Sequence, residues 1–554
     1  MIKSRGVSQG LVGIALAILV GLGAWFAWVG DDAFIAFRYG RNLADGYGFV
    51  FNPTDTAPVE GFTQLAWILI VAGVEWLGIE VVAGTRVIEL AIAVGLAWYW
   101  SRVAARGPLG VGAVGATVGL FLLVTSPGYV IWSTGGLGTI LFVLAVFACV
   151  ERMLKAGLAD KGAGESPLLA ACFATVVLTF VRFDGVYFAG VIVASGVTAA
   201  LLAKHRRLAL VSIAAGASGA VAVALQSLWR WSYFGDWVPN TVYAKGGMSA
   251  KTLERGLDYV LSSWMTVPLL CVALLLSIAY GWRHRRTEPA LVVIAGILIG
   301  TTLYGLLVGG DFMPMGRFFV PALPFVALVI GRLCKDLWEE RGRGHAGLAV
   351  TGALVLSVPA LFDVSLFPRE LREAHTFRWG FPEYQSEARF LNGVMERAEE
   401  WSQFGKALAL HAEPGDSLVR GAVGAMSYYS DLTVYDRFGL TDREAALNTK
   451  HNPETLTMPG HDSKAVEGFF NKRNPTWIGG GLLLGEQPGT ETYKLAREAA
   501  YAGLIDLFEV GPEDGFPERG IIVMRRYLPS AETVNPAAVG LTEAGGVLEP
   551  SSAE

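Results

Sequence analysis

Charge is scarce in this chain. Of its 554 residues 17% are charged, where a soluble protein of this length carries roughly a quarter. Cysteine is also sparse. Cys149, Cys172, Cys271 and Cys334 each lie in or beside an apolar run, which argues against a disulfide framework or a thiolate metal site and reads as core cysteine. Basic residues do not outnumber acidic ones (net charge −5), and no Arg/Lys patch is interleaved with aromatics, so nucleic acid is excluded as a partner. Nucleotide hydrolysis lacks its GxxxxGK[ST] loop, metalloprotease chemistry its HExxH pair, and serine hydrolysis its GxSxG elbow. His205, His284 and His345 sit among basic residues, while His375, His411, His451 and His461 are scattered without metal-ligand spacing.

Apolar sequence is abundant. Hydrophobic residues make up 53% of the chain. Runs of about 20 residues, enough to cross a bilayer of ~30 Å, recur up to residue 362. The candidate spans are 10–29, 84–100, 108–125, 136–150, 167–182, 184–203, 208–229, 264–282, 289–308, 318–334 and 345–362. The run Leu11–Val29 exceeds a signal-peptide core and has no A-x-A site, so it reads as an uncleaved first helix. Residues 62–78 are also apolar. Leaving them out of the count places Lys3/Arg5, Arg102/Arg106, Arg152/Lys155/Lys161, Lys204/Arg206/Arg207, Arg283/Arg285/Arg286 and Arg332/Lys335/Arg341/Arg343 on one side, as the positive-inside rule requires. Segment 62–78 is then an interfacial or re-entrant helix on the outside. The expected architecture is an all-α polytopic membrane domain, 1–362, of about eleven transmembrane helices with its N-terminus inside. A soluble α/β domain, 363–535, follows outside, with a disordered tail at 536–554.

Four polar segments share the outer face: 30–62, 125–135, 230–263 and 309–317. In the first outer loop (30–83), Asp31 and Asp32 follow the first helix directly. Adjacent carboxylates at a membrane boundary raise one another's pKa and suit acid/base work; they also read as solvated helix-end acids. Arg38 and Arg41 suit bidentate phosphate contact or snorkelling to headgroups. Glu60 precedes the apolar segment as an isolated acid. Asp236, Asn240, Tyr243 and Lys245 stand among aromatics in RWSYFGDWVPNTVYAKGG, a composition that fits either a sugar site or an interfacial aromatic belt. Asp311 and Arg317 occupy a Gly/Pro-rich turn, as an ion pair or as part of a lipid-phosphate site. Arg182 and Asp184 read first as a pair capping two helices.

Three segments carry a resemblance: DDAFIAFRYGRNLADGYGFVFNP…VEGFTQLAW (Asp31–Trp67), YFGDWVPNTVYAK (Tyr233–Lys245) and GGDFMPMGRFFVPALP (Gly309–Pro324). In this order on one face, they resemble bacterial GT-C glycosyltransferases that use polyprenyl-phosphate sugar donors, in particular the AftB-type terminal arabinofuranosyltransferases. In the soluble part, Gly421–Asp442 and Pro459–His461 fit the same pattern. The resemblance implies a GT-C fold, decaprenyl-phosphoryl-arabinofuranose as donor, an arabinan glycan as acceptor, and reaction on the outer face of a bacterial cytoplasmic membrane. It implies Asp31 and Asp32 as the essential acids, and makes Arg38, Asn42, Glu60, Asp236, Asn240, Tyr243, Lys245, Asp311 and Arg317 candidates for holding donor phosphate and sugar. No cofactor is assigned; a divalent cation stays open, since paired acids bind hard cations. One departure is Gly138, within WSTGGLGT, where the family usually has Glu. Transfer of another sugar such as mannose, a transporter or flippase, and an inactive binding protein are the competing readings.

Overall fold

The computed structural model describes residues 7–527 apart from 56, 161, 163, 246, 451–457, 463 and 466–467, together with 541–544 and 547–550. Each of the eleven apolar segments holds a helix: Gln9–Trp25, Val81–Arg106, Gly112–Thr125, Thr139–Gly157, Ser166–Val181, Gly185–Ala203, Arg206–Phe234, Leu269–Arg283, Pro289–Val308, Leu323–Arg341 and Arg343–Val355. Helix is the form these sequences must take in lipid, because it satisfies every backbone N–H and C=O within the segment. Among the described residues, six helical segments are long and apolar enough to cross a membrane, or seven if Ala250–Thr266 and Leu269–Arg283, bent by 99°, form one span. Gln9–Trp25, Gly112–Thr125 and Ser166–Val181 are apolar but shorter. Among the described residues, length and composition by themselves thus support six or seven of the eleven expected crossings. Close packing follows from small residues: a Cβ on Gly115 would lie 2.4 Å from the Gly331 carbonyl oxygen, so the two helices approach backbone to backbone.

The polar loop after the first helix is itself helical. Asp31–Ala44 carries Asp31 and Asp32 in its first turn and Arg41 in its last, both placed favourably for the helix dipole. It packs against Leu65–Trp76, a helix of 12 residues and thus too short to cross a bilayer of ~30 Å at 1.5 Å per residue.

Beyond residue 363 the chain mixes helices with a sheet. Five strands run in the spatial order Thr433–Asp436, Ser417–Arg420, Trp477–Leu484, Gly520–Arg526, Ile505–Val510. The first two pairings are parallel and the last two antiparallel. The buried strand Gly520–Arg526 reads GIIVMRR, and helix Glu387–Ala409 packs beside the sheet. Of the tail expected to lack structure, Leu541–Ala544 and Val547–Pro550 pair as antiparallel strands; the remainder lies outside the described residues.

The sheet region is seated on the outer loops through a shared core. Phe34 and Phe37 meet Tyr428, and Phe34 meets Tyr429, at ring-centroid distances of 5.7, 6.4 and 5.6 Å. Arg255 bonds Asp462 at 2.8 Å and Arg443 bonds Asp236 at 2.7 Å. The Arg255–Asp462 pair is buried, and the two pairs together tie the sheet region to the loops.

Candidate functional site

A cavity of about 200 Å³ lies where the outer loops meet the sheet region. Its floor comes from Asp31, Asp32 and Gly61–Gln64 of the first loop, Lys245 of the second, and Asp311 and Arg317 of the third, with Arg182. Its roof comes from Gly421–Val423, Asp436, Phe438, Leu440 and Pro459–His461, and one wall from helix Glu387–Ala409.

The two aspartates have different surroundings. Asp31 accepts hydrogen bonds from the backbone N–H groups of Gly424 (3.1 Å) and Ala425 (2.7 Å), and so occupies the start of helix Ala425–Ser430. Burial pushes its carboxyl up to about 6, the two N–H groups oppose that, and the Asp32 charge adds to it. Asp32 lines the cavity half-buried and, among the described residues, makes no hydrogen bond or ion pair. An unengaged carboxylate in a cavity is the better proton acceptor, because its lone pairs are open.

Three cations face it. Arg317 binds Asp311 through two bonds of 2.6 and 2.7 Å, with the Trp132 ring 5.6 Å from the guanidinium. Arg182 pairs with Asp184 at 2.8 Å. Lys245 lines the cavity as an exposed side chain, and its ammonium makes no hydrogen bond or ion pair among the described residues. Desolvation of the ammonium by the cavity walls, then the neighbouring Arg317, pulls its pKa down. Two of the cations are thus balanced by partners, and Lys245 supplies the surplus positive charge.

His461 enters from the roof between Phe312 and Phe438, with ring centroids 4.9 and 5.2 Å away. Burial lowers its imidazole pKa, and the Asp32 charge is the largest influence raising it. Asp436 shapes the adjacent loop by accepting from the backbone of Phe438 (2.8 Å) and Thr441 (2.9 Å).

Asp31, Asp32, Lys245, Asp311 and Arg317 therefore share one cavity. Six other candidates are not among its lining residues, and each is bonded elsewhere. Arg38 is spent on the carbonyl oxygens of Phe51 (2.7 Å), Leu432 (2.6 Å) and Ser427 and on Asn52, so it joins the first loop to the sheet region instead of holding phosphate. Asn42 donates to the carbonyls of Val50 and Phe51. Glu60 forms a buried ion pair with Arg230 at 2.8 Å. Asp236 binds Arg443 and Tyr243, and Asn240 donates to Gly439 and Leu440. Sequence reading underweighted Arg182, taken for a helix cap, and His461, one histidine among seven. Their signals were a charged pair at a span junction and the P-G-H turn. Among the described residues no group of three or more His, Cys, Asp or Glu side chains could hold a metal ion.

Residues 386–515 match a family model described as a domain of unknown function, DUF8728. The terminal β-(1→2)-arabinofuranosyltransferase of Mycobacterium tuberculosis (strain ATCC 25618 / H37Rv) is 28% identical over 386 residues, 62% of this chain and 59% of that protein. The match thus spans less than two thirds of the relative's length. Among solved structures, ArnT of Cupriavidus metallidurans bound to undecaprenyl phosphate superposes with a TM-score of 0.53 at 12% identity, covering 94% of this chain and 98% of that one. The Archaeoglobus fulgidus oligosaccharyltransferase in its apo form gives 0.51 at 12% identity, covering 77% of this chain and 64% of that one. The fold of this chain is the GT-C fold of membrane glycosyltransferases.

Proposed function

We propose that this chain transfers a sugar, arabinofuranose, from a polyprenyl-phosphate donor of the decaprenyl type to an arabinan glycan on the outer face of a bacterial cytoplasmic membrane. The N-terminus is cytoplasmic and residues 363–535 are extracytoplasmic. The observation that carries this reading is the pairing of an unengaged Asp32 with a cation group holding one surplus charge, in a cavity built from three separate loops. A phosphodiester-linked sugar carries one negative charge, which Lys245 matches. Arg317 and Arg182 add donors as the leaving phosphate gains charge, where charge-assisted bonds are strongest. In transfer, the acceptor hydroxyl oxygen bonds to the anomeric carbon, the bond from that carbon to the phosphate oxygen breaks, and the electron pair leaves with the polyprenyl phosphate. Asp32 takes the hydroxyl proton, and His461 stands beside it to pass the proton on. Asp31 positions the roof through Gly424 and Ala425 and does not touch the reacting atoms.

The arabinofuranosyltransferase relative and the undecaprenyl phosphate bound to ArnT support the sugar and the donor. The test is transfer in vitro from synthetic decaprenyl-phosphoryl-arabinofuranose to an arabinan oligosaccharide. Product from wild type and none from Asp32→Asn is expected; full activity in Asp32→Asn ends the reading. A mannose-linked donor of equal efficiency would reassign the sugar.

A further inference from the structure

One wall of the cavity plays no part in the mechanism above. Val394, Arg397 and Trp401 fall at i, i+3 and i+7 of helix Glu387–Ala409, so they form one stripe, and all three line the cavity. The stripe starts against the catalytic end: a Cβ on Gly30 would lie 3.1 Å from Val394 Cγ1. Trp401 is half-buried, with the Arg420 guanidinium 5.7 Å from its ring. Arg420 is also among the charges felt by Asp31, so the indole stands on the aspartate side. The three cations, by contrast, come from the membrane loops. Arg397 Nη2 is buried and has no hydrogen-bond partner, an arrangement that costs free energy until a ligand supplies an acceptor. Glu396 and Glu400, on the same helix, act on Arg397 and offset its charge, which disfavours an anionic ligand.

We propose that this stripe is the acceptor subsite: a neutral oligosaccharide rests the apolar face of one sugar ring on the Trp401 indole and offers a hydroxyl to Arg397. A flat aromatic face with a forked donor beside it is what a sugar ring requires, C–H groups to one and hydroxyls to the other. The stripe then sets the terminal hydroxyl of the acceptor toward Asp32. The proposal rests on the function given above and names where its acceptor binds.

The test uses the purified full-length protein and a neutral arabino-hexasaccharide, with binding measured by calorimetry and, separately, binding of decaprenyl phosphate. Trp401→Ala and Arg397→Ala should each weaken hexasaccharide binding by about tenfold or more, as loss of an anchoring side chain does. Acceptor KM should rise equally, with decaprenyl phosphate binding unchanged within about twofold. Trp401→Phe keeps a ring, and should retain most of the affinity and the wild-type unfolding temperature, separating lost contact from lost fold. Unchanged hexasaccharide binding in both alanine variants, equal loss of lipid phosphate binding, or tighter binding of an acidic oligosaccharide overturns the proposal. If wild type binds the hexasaccharide through this stripe but transfers nothing from the arabinose donor, the subsite stands and the donor assignment fails.

Discussion

The carboxylate of Asp31 accepts a hydrogen bond from the backbone N–H of Ala425 at 2.7 Å, joining positions 394 residues apart in sequence. Asp32, its neighbour, has no such bond and faces the cavity. Two adjacent acids of one helix thus divide the work, one fixing the roof and the other open to substrate.

Substitution should separate them. Asp32→Asn keeps the shape of the side chain but removes the proton acceptor, so transfer should fall by about 10²–10⁴-fold, the range for a lost general base, with the unfolding temperature unchanged. Asp31→Asn keeps one acceptor oxygen for Ala425 and loses the second, so it should lower the unfolding temperature and reduce transfer less. Steady-state rates and thermal unfolding in detergent on both variants decide it. Equal rate losses without any stability change in Asp31→Asn would contradict the division.

The same carboxyl gives a pH signature. Its pKa is raised from 3.8 to about 6 by burial, so between those values the folded protein holds a proton that the unfolded chain has released. Stability must then fall as pH rises through that window and level off above about 6. At 1.36 kcal/mol per pKa unit the loss is on the order of 2–3 kcal/mol. Unfolding measured from pH 4 to 7 should show this slope in wild type, and a shallower one in Asp31→Asn. A difference between the two that grows with pH would be the wrong sign.

Arg38 should behave as a structural residue. Its guanidinium satisfies the carbonyls of Phe51, Ser427 and Leu432 while buried. Arg38→Ala leaves these without a donor, at about 1–3 kcal/mol for each unsatisfied buried group. The expected result is poor folding or a large drop in unfolding temperature, with donor KM unchanged in whatever protein folds. A stable variant with raised donor KM would restore the phosphate role.

How much of this was legible in the sequence depends on distance along the chain. The helices were readable because hydropathy is a local property, and the α/β character of the last third because β-branched runs alternate with helical stretches. The grouping of Asp31, Asp32, Lys245, Asp311 and Arg317 was readable once charge bias put their loops on one face. Arg38 and Asn240 could not be sorted from Lys245, since all are polar groups in outer loops. What separates them is the partner: carbonyls of Ser427, Leu432, Gly439 and Leu440 claim the first two. Backbone carbonyls have no signature in sequence. His461 and the wall residues Arg397 and Trp401 come from the sheet region, whose seating over the loops is a long-range result.

The surplus cation should read out on the donor alone. Lys245→Ala removes a charge-assisted bond worth about 1.5–3 kcal/mol, so donor KM should rise by about 10–100-fold, while Lys245→Arg should restore much of it. Arg317→Ala should differ, because it leaves Asp311 buried beside an empty place; loss of one member of a buried pair costs about 3–5 kcal/mol. Its main effect should be on unfolding temperature. Donor titration and thermal unfolding of both variants separate binding charge from structural charge.

Gly138 is held by structure and not by a missing function. Its backbone is left-handed, φ 65°, and a Cβ there would lie 2.7 Å from Trp67 Cγ. Trp67 is fixed by its own bond to the Gly136 carbonyl at 2.8 Å. Below it, the Glu89 carboxylate accepts from the N–H groups of Gly136 (2.6 Å) and Gly138 (2.7 Å), so an acid already organises this turn from another helix. Placing a glutamate at 138 must strain the backbone by about 1–2 kcal/mol and displace a buried indole. Gly138→Glu should therefore lower the unfolding temperature and transfer together, with no new sugar specificity. A Gly138→Glu protein as stable as wild type, with a changed donor preference, would show that this turn selects the sugar.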